Sequence, residues 1–237
     1  ILKILQELKD LSRDRLELIV QDAGSNQKLL QNIKSCLTER DSIFIEKDDG
    51  IFDGINKGIK NCNGKYILTI GSDDFVDANS LRCIINSIGD EDLLFCGVKL
   101  FEAKGKVRRI WRARKFSRWL YRLGAQYPHF GVIVKAEIYR NGLWFNNANK
   151  VNADYEFFST LTKLKTLNVG YLNGVSVYMQ LGGTSTRSPL NILRHQKLIF
   201  RFILRYEPDL ILAPILKVIF KTEEVALAFM ANEKVYF

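Results

Sequence analysis

Short apolar runs alternate with stretches of helical periodicity over the first half of the chain, and this alternation constrains the fold more than any other feature. Three of the apolar runs lead directly to an acidic residue, at Asp22, Asp48 and Asp73. Alternating strand and helix patterns predict an α/β fold with a mostly parallel sheet flanked by helices. Because ligands bind at the carboxyl ends of the strands in such sheets, the three aspartates should share one functional edge.

The periodicity assigns each predicted element a range. We predict helices over residues 1–12, 26–38, 51–62, 78–88 and 151–164. We predict strands over residues 16–20, 42–46, 65–70, 93–98, 131–135 and 174–181, with a hairpin over 100–111. The length suits one domain with an appendage. We expect residues 1–188 to form the domain and residues 189–237 to form a C-terminal helical extension.

The most informative strand runs from Tyr66 to Ile70 and continues as Gly-Ser-Asp73-Asp74. Two adjacent carboxylates repel each other unless a positive charge arrives. Mg²⁺ typically binds one or two protein carboxylates together with substrate phosphates. The alternative is an Asp-rich turn that caps the helix starting near Ala78, because Asp favours turns and caps. The segment alone does not decide between the two.

The net charge of +9 is concentrated in residues 99–122, which carry ten Lys or Arg against the single acid Glu102. Trp111 and Trp119 are interleaved with these cations. A basic stretch with aromatic residues suits an anionic membrane surface or a diphosphate-lipid acceptor, and a solvated surface is the other explanation. No nucleic-acid motif accompanies the patch, so we expect no nucleic-acid partner.

Cysteine spacing and hydropathy exclude several classes of protein. The four cysteines are far apart and lack CxxC spacing, which argues against a zinc site or a disulfide framework and fits a reducing compartment. No secretory signal is visible, and the longest apolar run, 210–220, is interrupted by Pro214 and Lys217. The chain opens at Ile1 inside an amphipathic pattern, so we expect an N-terminal piece to be missing.

Five segments in a fixed order carry a family resemblance. They are Val20-Gln-Asp-Ala-Gly-Ser25, Glu46 to Gly58, Gly64 to Asp74, Ala153-Asp-Tyr-Glu156 and Leu181-Gly-Gly-Thr-Ser185. Together they resemble the motifs of family 2 glycosyltransferases of the GT-A fold. The second follows that family's pattern E-x-D-x-G-I-Y-D-A-M-N-K-G almost residue for residue. The resemblance covers about residues 1–188, although the family's first strand is apparently absent.

The resemblance implies a nucleotide-sugar donor, a divalent cation (Mn²⁺ or Mg²⁺) and transfer with inversion at the anomeric carbon. It implies that Asp154 is the general base and that Asp74 is the metal ligand. The implied donor-binding residues are Asp22 for the base, which we expect to be uracil, Asp48 and Asn56 for the base or ribose, and Asp73 for the ribose.

Several of these residues have structural alternatives. Asp154 would also be favoured at a helix N-terminus by the macrodipole. Asp53 and Lys57 are spaced i, i+4, so Lys57 is best explained by a surface ion pair. His129 either contacts acceptor or phosphate or is structural. Gly183 and Thr184 lie in a loop that either closes over the diphosphate or only forms a turn.

The resulting hypothesis is a metal-dependent bacterial-type transferase that uses a UDP-sugar to build a surface polysaccharide. We expect a glycan or lipid-linked acceptor, and peripheral contact of residues 99–122 with the inner face of the plasma membrane, from the cytoplasm. A catalytically inactive nucleotide-sugar-binding or scaffold protein and a nucleotidyltransferase are the alternatives. The apolar helices after Pro189 also make an oligomer possible.

Overall fold

The structure is a computed structural model that describes residues 1–8, 15–102, 104–125, 127–149, 152–181 and 189–233. The helices are α1 (Leu2–Leu8), α2 (Gln27–Cys36), α3 (Ile51–Lys60), α4 (Ala78–Ser87), α5 (Arg118–Arg122), α6 (Ala136–Arg140), α7 (Ala153–Leu161), α8 (Pro189–Tyr206) and α9 (Ala213–Ala231). The strands are β1 (Ile19–Asp22), β2 (Ser42–Ile45), β3 (Tyr66–Leu68), β4 (Leu93–Phe101), β5 (Val107–Trp111), β6 (Val132–Lys135) and β7 (Val169–Gln180). Two short 3₁₀ turns cover His129–Gly131 and Pro208–Leu210.

The strands form two sheets. β1 and β2 pair in parallel, with Ile19 opposite Ser42. The larger sheet has the order β3-β6-β4-β5, and β7 pairs in parallel along the other edge of β4. The helices flank these strands, so the α/β class is confirmed.

The larger sheet is mixed, which corrects the expectation of a mostly parallel sheet. β3 with β6, β4 with β6, and β4 with β5 are antiparallel. The hairpin predicted over 100–111 accounts for the last of these pairs, because a short connection can only join antiparallel strands. β6 lies between β3 and β4 and is antiparallel to both, although it follows them in the chain by more than 30 residues. Local periodicity does not indicate such a pairing.

Most predicted elements occur within a few residues of their expected bounds, and β7 is the main exception. It begins at Val169 instead of residue 174 because its first residues pair with the buried strand β4. Gly170 permits this close approach, since a Cβ there would lie 2.9 Å from a side-chain carbon of Leu94. The end of the first predicted helix, at residues 9–12, lies outside the described residues.

The loops after β1 and β2 are built in the same way. The Asp22 carboxylate accepts a hydrogen bond from the Gly24 N–H at 2.8 Å, and the Asp48 carboxylate accepts one from the Gly50 N–H at 3.1 Å. Both glycines have left-handed backbone angles, with φ of 121° and 128°, which glycine adopts at little cost. Each Asp-x-Gly turn therefore bends the chain sharply at the end of its strand.

The C-terminal helices share the main core with the residues before them. Ile203 of α8 and Leu210 are fully buried in the same cluster as Phe95 of β4 and Phe158 of α7. The proposed boundary at residue 188 falls in a segment outside the described residues, so the division into two units stays a prediction.

Six of the ten cations of residues 99–122 form ion pairs, mostly with acids after residue 200. The pairs are Lys99–Glu233, Arg108–Glu102, Arg109–Glu224, Arg114–Glu223, Arg118 with Glu207 and Asp209, and Arg122–Asp209. The Arg109–Glu224 pair is the most buried, with 2.5 Å between Nη2 and Oε2 and Glu224 only 2% exposed. Most of the basic charge is thus used within the fold, which removes the main support for a membrane contact through this segment.

Candidate functional site

Asp22 and Asp48 lie at the ends of two neighbouring parallel strands, as predicted. Asp73 follows β3, which belongs to the other sheet, so the expectation that the three aspartates share the edge of one sheet is wrong. Asp22 ends β1, while Asp48 follows β2 and precedes α3. Burial would raise the pKa of Asp22, but hydrogen bonds from Ser25 and Gly24 outweigh it and hold that pKa below its ordinary value. Among the described residues, no Lys or Arg nitrogen lies within 4.0 Å of either carboxylate. Within the described ranges, neither carboxylate therefore has a Lys or Arg partner.

Asp73 and Asp74 follow β3 and differ in exposure. Asp73 is exposed, whereas Asp74 is 4% exposed and accepts a hydrogen bond from the Gln180 N–H at 2.9 Å. Burial raises the pKa of Asp74 to about 6, with a further contribution from the Asp73 charge; the Gln180 hydrogen bond opposes the rise. Asp74 does not cap α4, because that role belongs to Asp77, whose side chain accepts from Ser80. The capping explanation for the pair is therefore wrong.

Two glycines leave room for these carboxylates. A Cβ on Gly71 would lie 2.5 Å from Oδ2 of Asp74, and a Cβ on Gly54 would lie 2.9 Å from Oδ2 of Asp48. Both distances are shorter than a van der Waals contact, so any larger residue would displace the carboxylate. The glycine before the acidic pair and the glycine in α3 thus hold these two acids in position.

His129 is close to the predicted base Asp154 and affects Asp74 electrostatically. Its Nδ1 is 3.7 Å from Oδ2 of Asp154, and its charge influences the pKa of Asp74. The ring is surrounded by Phe52, Phe130 and Phe145. Asp154 lies in the first turn of α7 with a side chain 35% exposed. His129 therefore interacts electrostatically with both Asp154 and the buried Asp74.

Comparison with known proteins identifies the family. The sequence model of "Glycosyl transferase family 2" matches residues 1–145, which is more than half of the chain. The chain belongs to glycosyltransferase family 2. It is therefore a transferase, as its motifs predicted.

Curated relatives of this glycosyltransferase agree with that assignment. A "PGL/p-HBAD biosynthesis glycosyltransferase" of Mycobacterium bovis is 28% identical over 184 residues, which cover 71% of this chain and 67% of the relative. An uncharacterized glycosyltransferase of Haemophilus influenzae is 24% identical over 187 residues, covering 75% and 72%.

Solved structures support the GT-A-like fold. S. aureus TarS 1-349 in complex with UDP-GlcNAc superposes with a TM-score of 0.56 at 19% identity, over 98% of this chain and 73% of that one. The mannosyltransferase PcManGT of Pyrobaculum calidifontis, in complex with GDP-Man and Mn²⁺, has a TM-score of 0.53 at 13% identity, over 96% and 74%. At these identities the likeness establishes the fold alone.

Asn56 has partners that sequence analysis missed. Its amide nitrogen donates to the Phe145 carbonyl and to Asn147 Oδ1, both at 2.7 Å, and its Oδ1 accepts from the Phe145 N–H. Asn147 also donates to Asp53 at 2.8 Å. The predicted ion pair of Asp53 with Lys57 is present at 3.2 Å. In this structure Asn56 therefore connects α3 to the segment before α7.

That segment, residues 146–149, positions the start of α7. The side chains of Asn146 and Asn149 donate to the Glu156 carboxylate in the first turn of the helix. Asn56 and residues 146–149 thereby fix α7 and its Asp154 relative to α3. The signal in the sequence was the run Asn-Asn-Ala-Asn shortly before the Ala-Asp-Tyr-Glu motif.

The carboxylates of the site could bind a divalent cation only if oxygen atoms of the substrate supply the remaining ligands. Among the described residues, no group of three or more His, Cys, Asp or Glu side chains could hold a metal ion. The adjacent Asp73 and Asp74 supply two carboxylates, and burial, which raises the pKa of Asp74 to about 6, disfavours its charge unless a cation binds. Hard oxygen ligands of this kind, with phosphates added, are what Mg²⁺ typically uses.

Gly183 and Thr184 lie outside the described residues, so the predicted loop over the diphosphate stays a prediction. No helix in the described ranges combines the length and the apolar character that a membrane span needs.

Proposed function

We propose that this family 2 glycosyltransferase is a metal-dependent inverting enzyme. It transfers a sugar from a nucleoside-diphosphate donor, a UDP-sugar, to a hydroxyl of a glycan or lipid-linked acceptor in cell-surface polysaccharide synthesis. The observation that carries the proposal is that the buried Asp74 and Asp154 both interact electrostatically with His129, since one would hold the donor and the other would activate the acceptor. TarS bound to UDP-GlcNAc and PcManGT bound to GDP-Man with Mn²⁺ share this fold and support a nucleotide-sugar donor.

The acidic strand ends would bind the donor. Asp22 and Asp48 can accept hydrogen bonds from the N–H groups of a base or from ribose hydroxyls. Exposed Asp73 would accept from the ribose, while Asp74 would be the protein ligand of Mn²⁺ or Mg²⁺. When bound, the cation supplies Lewis-acid stabilisation of charge on the departing diphosphate. Asn56 would act indirectly, through residues 146–149.

Asp154 would perform the proton transfer. The acceptor hydroxyl oxygen forms a bond to the anomeric carbon while the bond from that carbon to the diphosphate oxygen breaks. The hydroxyl proton passes to the Asp154 carboxylate, and the electron pair leaves with the nucleoside diphosphate. One base suffices for a single displacement, and the attack on the opposite face inverts the anomeric carbon. His129 would orient Asp154, which makes its expected contact with acceptor or phosphate an indirect one.

The test is an Asp154→Asn variant assayed with UDP-sugars, Mn²⁺ and a panel of glycan acceptors. A general base typically contributes 10²–10⁴-fold, so transfer should fall by about that factor while donor binding persists. Glu137→Gln is the matched control, since Glu137 is the first-turn acid of α6; it changes a helix macrodipole contribution and an exposed 3.9 Å ion pair with Lys135, but no residue of the site. Equal transfer by Asp154→Asn and wild type would refute the assignment of the base.

The assay also separates the alternatives. Release of nucleoside diphosphate supports glycosyl transfer, whereas release of pyrophosphate would identify a nucleotidyltransferase. Donor binding without turnover by the wild-type protein, with any acceptor tried, would favour an inactive nucleotide-sugar-binding protein. We further propose that the enzyme works in the cytoplasm at the inner face of the plasma membrane.

A further inference from the structure

The outer face of α9 is apolar over almost its whole length. Its exposed large side chains, with those of the turn before it, are Ile211, Leu212, Ile215, Val218, Ile219, Val225, Phe229 and Met230. At 100° per residue these positions occupy one contiguous side of the helix. Thr222 and Ala226 fill the gaps between them, and Lys221 and Glu223 lie at the margins. Phe229 is 86% exposed, and no described residue covers this face.

The opposite face of α9 packs against the rest of the protein. Ala213, Glu224 and Ala228 are buried, and Glu224 pairs with Arg109 of β5. A helix that is apolar on both sides is normally buried on both sides. Single exposed apolar residues need no explanation, but a contiguous apolar stripe of about 28 Å, from 19 residues at 1.5 Å each, marks an interaction surface.

The exposed side of α8 combines cations with apolar residues. Over residues 196–206, Lys197, Arg201 and Arg205 recur every four residues and are exposed. Leu198, Phe200 and Leu204 are exposed beside them. The helix contains no acid, and none of the three cations has an ion pair within the part of the chain that the structure describes. Their charge, unlike most of that in residues 99–122, is available to a partner.

Both helices cover the same part of the core. Ile199 and Ile203 of α8 and Ala213 of α9 lie in one cluster, and Lys217 of α9 donates a hydrogen bond to Gln196 of α8. Their outer faces consequently both point away from that cluster. Together they form one surface, the α8–α9 surface, defined by the exposed residues named above.

We propose that the α8–α9 surface docks onto an anionic lipid bilayer. The apolar stripe of α9 would enter the boundary between headgroups and acyl chains, while Lys197, Arg201 and Arg205 would contact lipid phosphates. Basic residues beside exposed Leu and Phe are the pattern of interfacial helices. Pairing α8 with α8 of a second copy would bring six cations together without an acid, which is unfavourable.

Docking in this way would place the bilayer next to the site. Tyr155, adjacent to Asp154, contacts Phe202 on the inner side of α8, with ring centroids 6.2 Å apart. One helix diameter, about 10–12 Å, then separates Tyr155 from the docking surface. On the proposed function, this favours an acceptor carried by a lipid in the same membrane. The docking itself does not depend on that function.

The test is flotation of the full chain with two kinds of vesicle. One is made of phosphatidylcholine alone, and the other contains about one third phosphatidylglycerol. We expect binding to the anionic vesicles only, weakened by high salt because screening shortens the range of the attraction. Lys197→Gln/Arg201→Gln/Arg205→Gln should bind on the order of a hundredfold more weakly, at about fivefold per cation. Ile215→Ser/Ile219→Ser/Phe229→Ser should not float.

The matched control is Lys28→Gln/Lys34→Gln/Lys165→Gln, which removes three exposed cations elsewhere and should bind like wild type. All changed residues are exposed, and circular dichroism melts verify that each variant folds. Absence of flotation by wild type, or equal loss in the control, would overturn the proposal. So would a concentration-dependent dimer abolished by Ile215→Ser/Ile219→Ser/Phe229→Ser without any vesicle binding. Because no sugar or nucleotide is present, these outcomes are independent of transferase activity.

Discussion

The acidic strand ends and the basic segment 99–122 use charge in opposite ways. Asp22, Asp48, Asp73 and Asp74 have no Lys or Arg within 4.0 Å among the described residues, and the last of them is buried with a raised pKa. In the basic segment, by contrast, six of ten cations have acidic partners contributed mainly by the C-terminal part of the chain.

This difference separates the proposed ligand site from a structural interface. A buried carboxylate such as Asp74 costs free energy in its ionised form, and a bound cation can recover that free energy. Paired cations stabilise the fold and have little charge left for a partner. The concentration of charge in a sequence therefore indicates less about function than the pairing of each charge in the structure.

The largest effect should come from breaking the pairing in the basic region. Arg109→Met leaves Glu224 buried without its closest partner, and removing one member of a buried pair typically costs about 3–5 kcal/mol. Urea unfolding should therefore show a much less stable protein. Adding Glu224→Gln to Arg109→Met should restore most of the loss. An Arg109→Met variant as stable as wild type would contradict a structural role for this pair.

The acidic region should respond in the opposite direction. A pKa of about 6 for Asp74, against an ordinary 3.8, means that the folded state disfavours the ionised form above pH 6. The loss of stability from ionising Asp74 is absent below pH 3.8, grows between pH 3.8 and about pH 6, and is fully present above pH 6. Asp74→Asn should therefore raise the unfolding free energy of the metal-free protein by about 3 kcal/mol at pH 7.5, and by little at pH 4. A destabilised Asn variant at pH 7.5 would show that Asp74 is structural.

The same pKa predicts how binding depends on pH. A divalent cation needs the ionised carboxylate, so metal-promoted binding of UDP should fall below pH 6 by about tenfold per unit and level off above it. Calorimetric titration at pH 5, 6, 7 and 8 measures this profile. Affinity that is flat across the series would exclude Asp74 as the metal ligand.

Filling the space beside the Asp74 carboxylate should have a smaller effect. In Gly71→Ala the new Cβ would lie 2.5 Å from Oδ2 of Asp74, so the carboxylate must move. We expect affinity for Mn²⁺ with UDP to fall by about tenfold, or about 1.4 kcal/mol. Gly89→Ala is the control, because its Cβ would keep an ordinary 3.4 Å distance from Glu91. Equal affinities for the two variants would show that Asp74 does not need its present position.

The smallest effect should come from an unpaired cation of the basic segment. Lys104 is exposed and has no ion pair among the described residues, so Lys104→Gln should change the unfolding free energy by less than about 0.5 kcal/mol. The measurement is urea unfolding beside Arg109→Met. A loss comparable with that variant would mean that charge number, and not pairing, stabilises the region.

Local patterns in the sequence predicted the elements that surround the site. The helices around residues 27–36, 51–60 and 78–87, and the aspartates at strand ends, follow from hydrophobic periodicity and turn residues. The family motifs supplied the roles proposed for Asp74 and Asp154. Both kinds of signal lie within short windows of the chain.

Contacts between distant residues were not predictable in the same way. Arg109 and Glu224 are 115 positions apart, and Asn56 and Phe145 are 89 apart. The antiparallel position of β6 also depends on pairing across the whole domain. Because many distant pairings are compatible with one pattern of periodicity, the sequence indicated a charged patch but not the acids that neutralise it.

We propose that the carboxylates after the strands form a metal-assisted nucleotide site. The most direct measurement is calorimetric titration of UDP into the protein with and without Mn²⁺, for wild type and for Asp73→Asn/Asp74→Asn. We expect wild type to bind UDP only with Mn²⁺ present, and the double variant not to bind it. Identical heats for both proteins, or no heat for wild type with Mn²⁺, would contradict it.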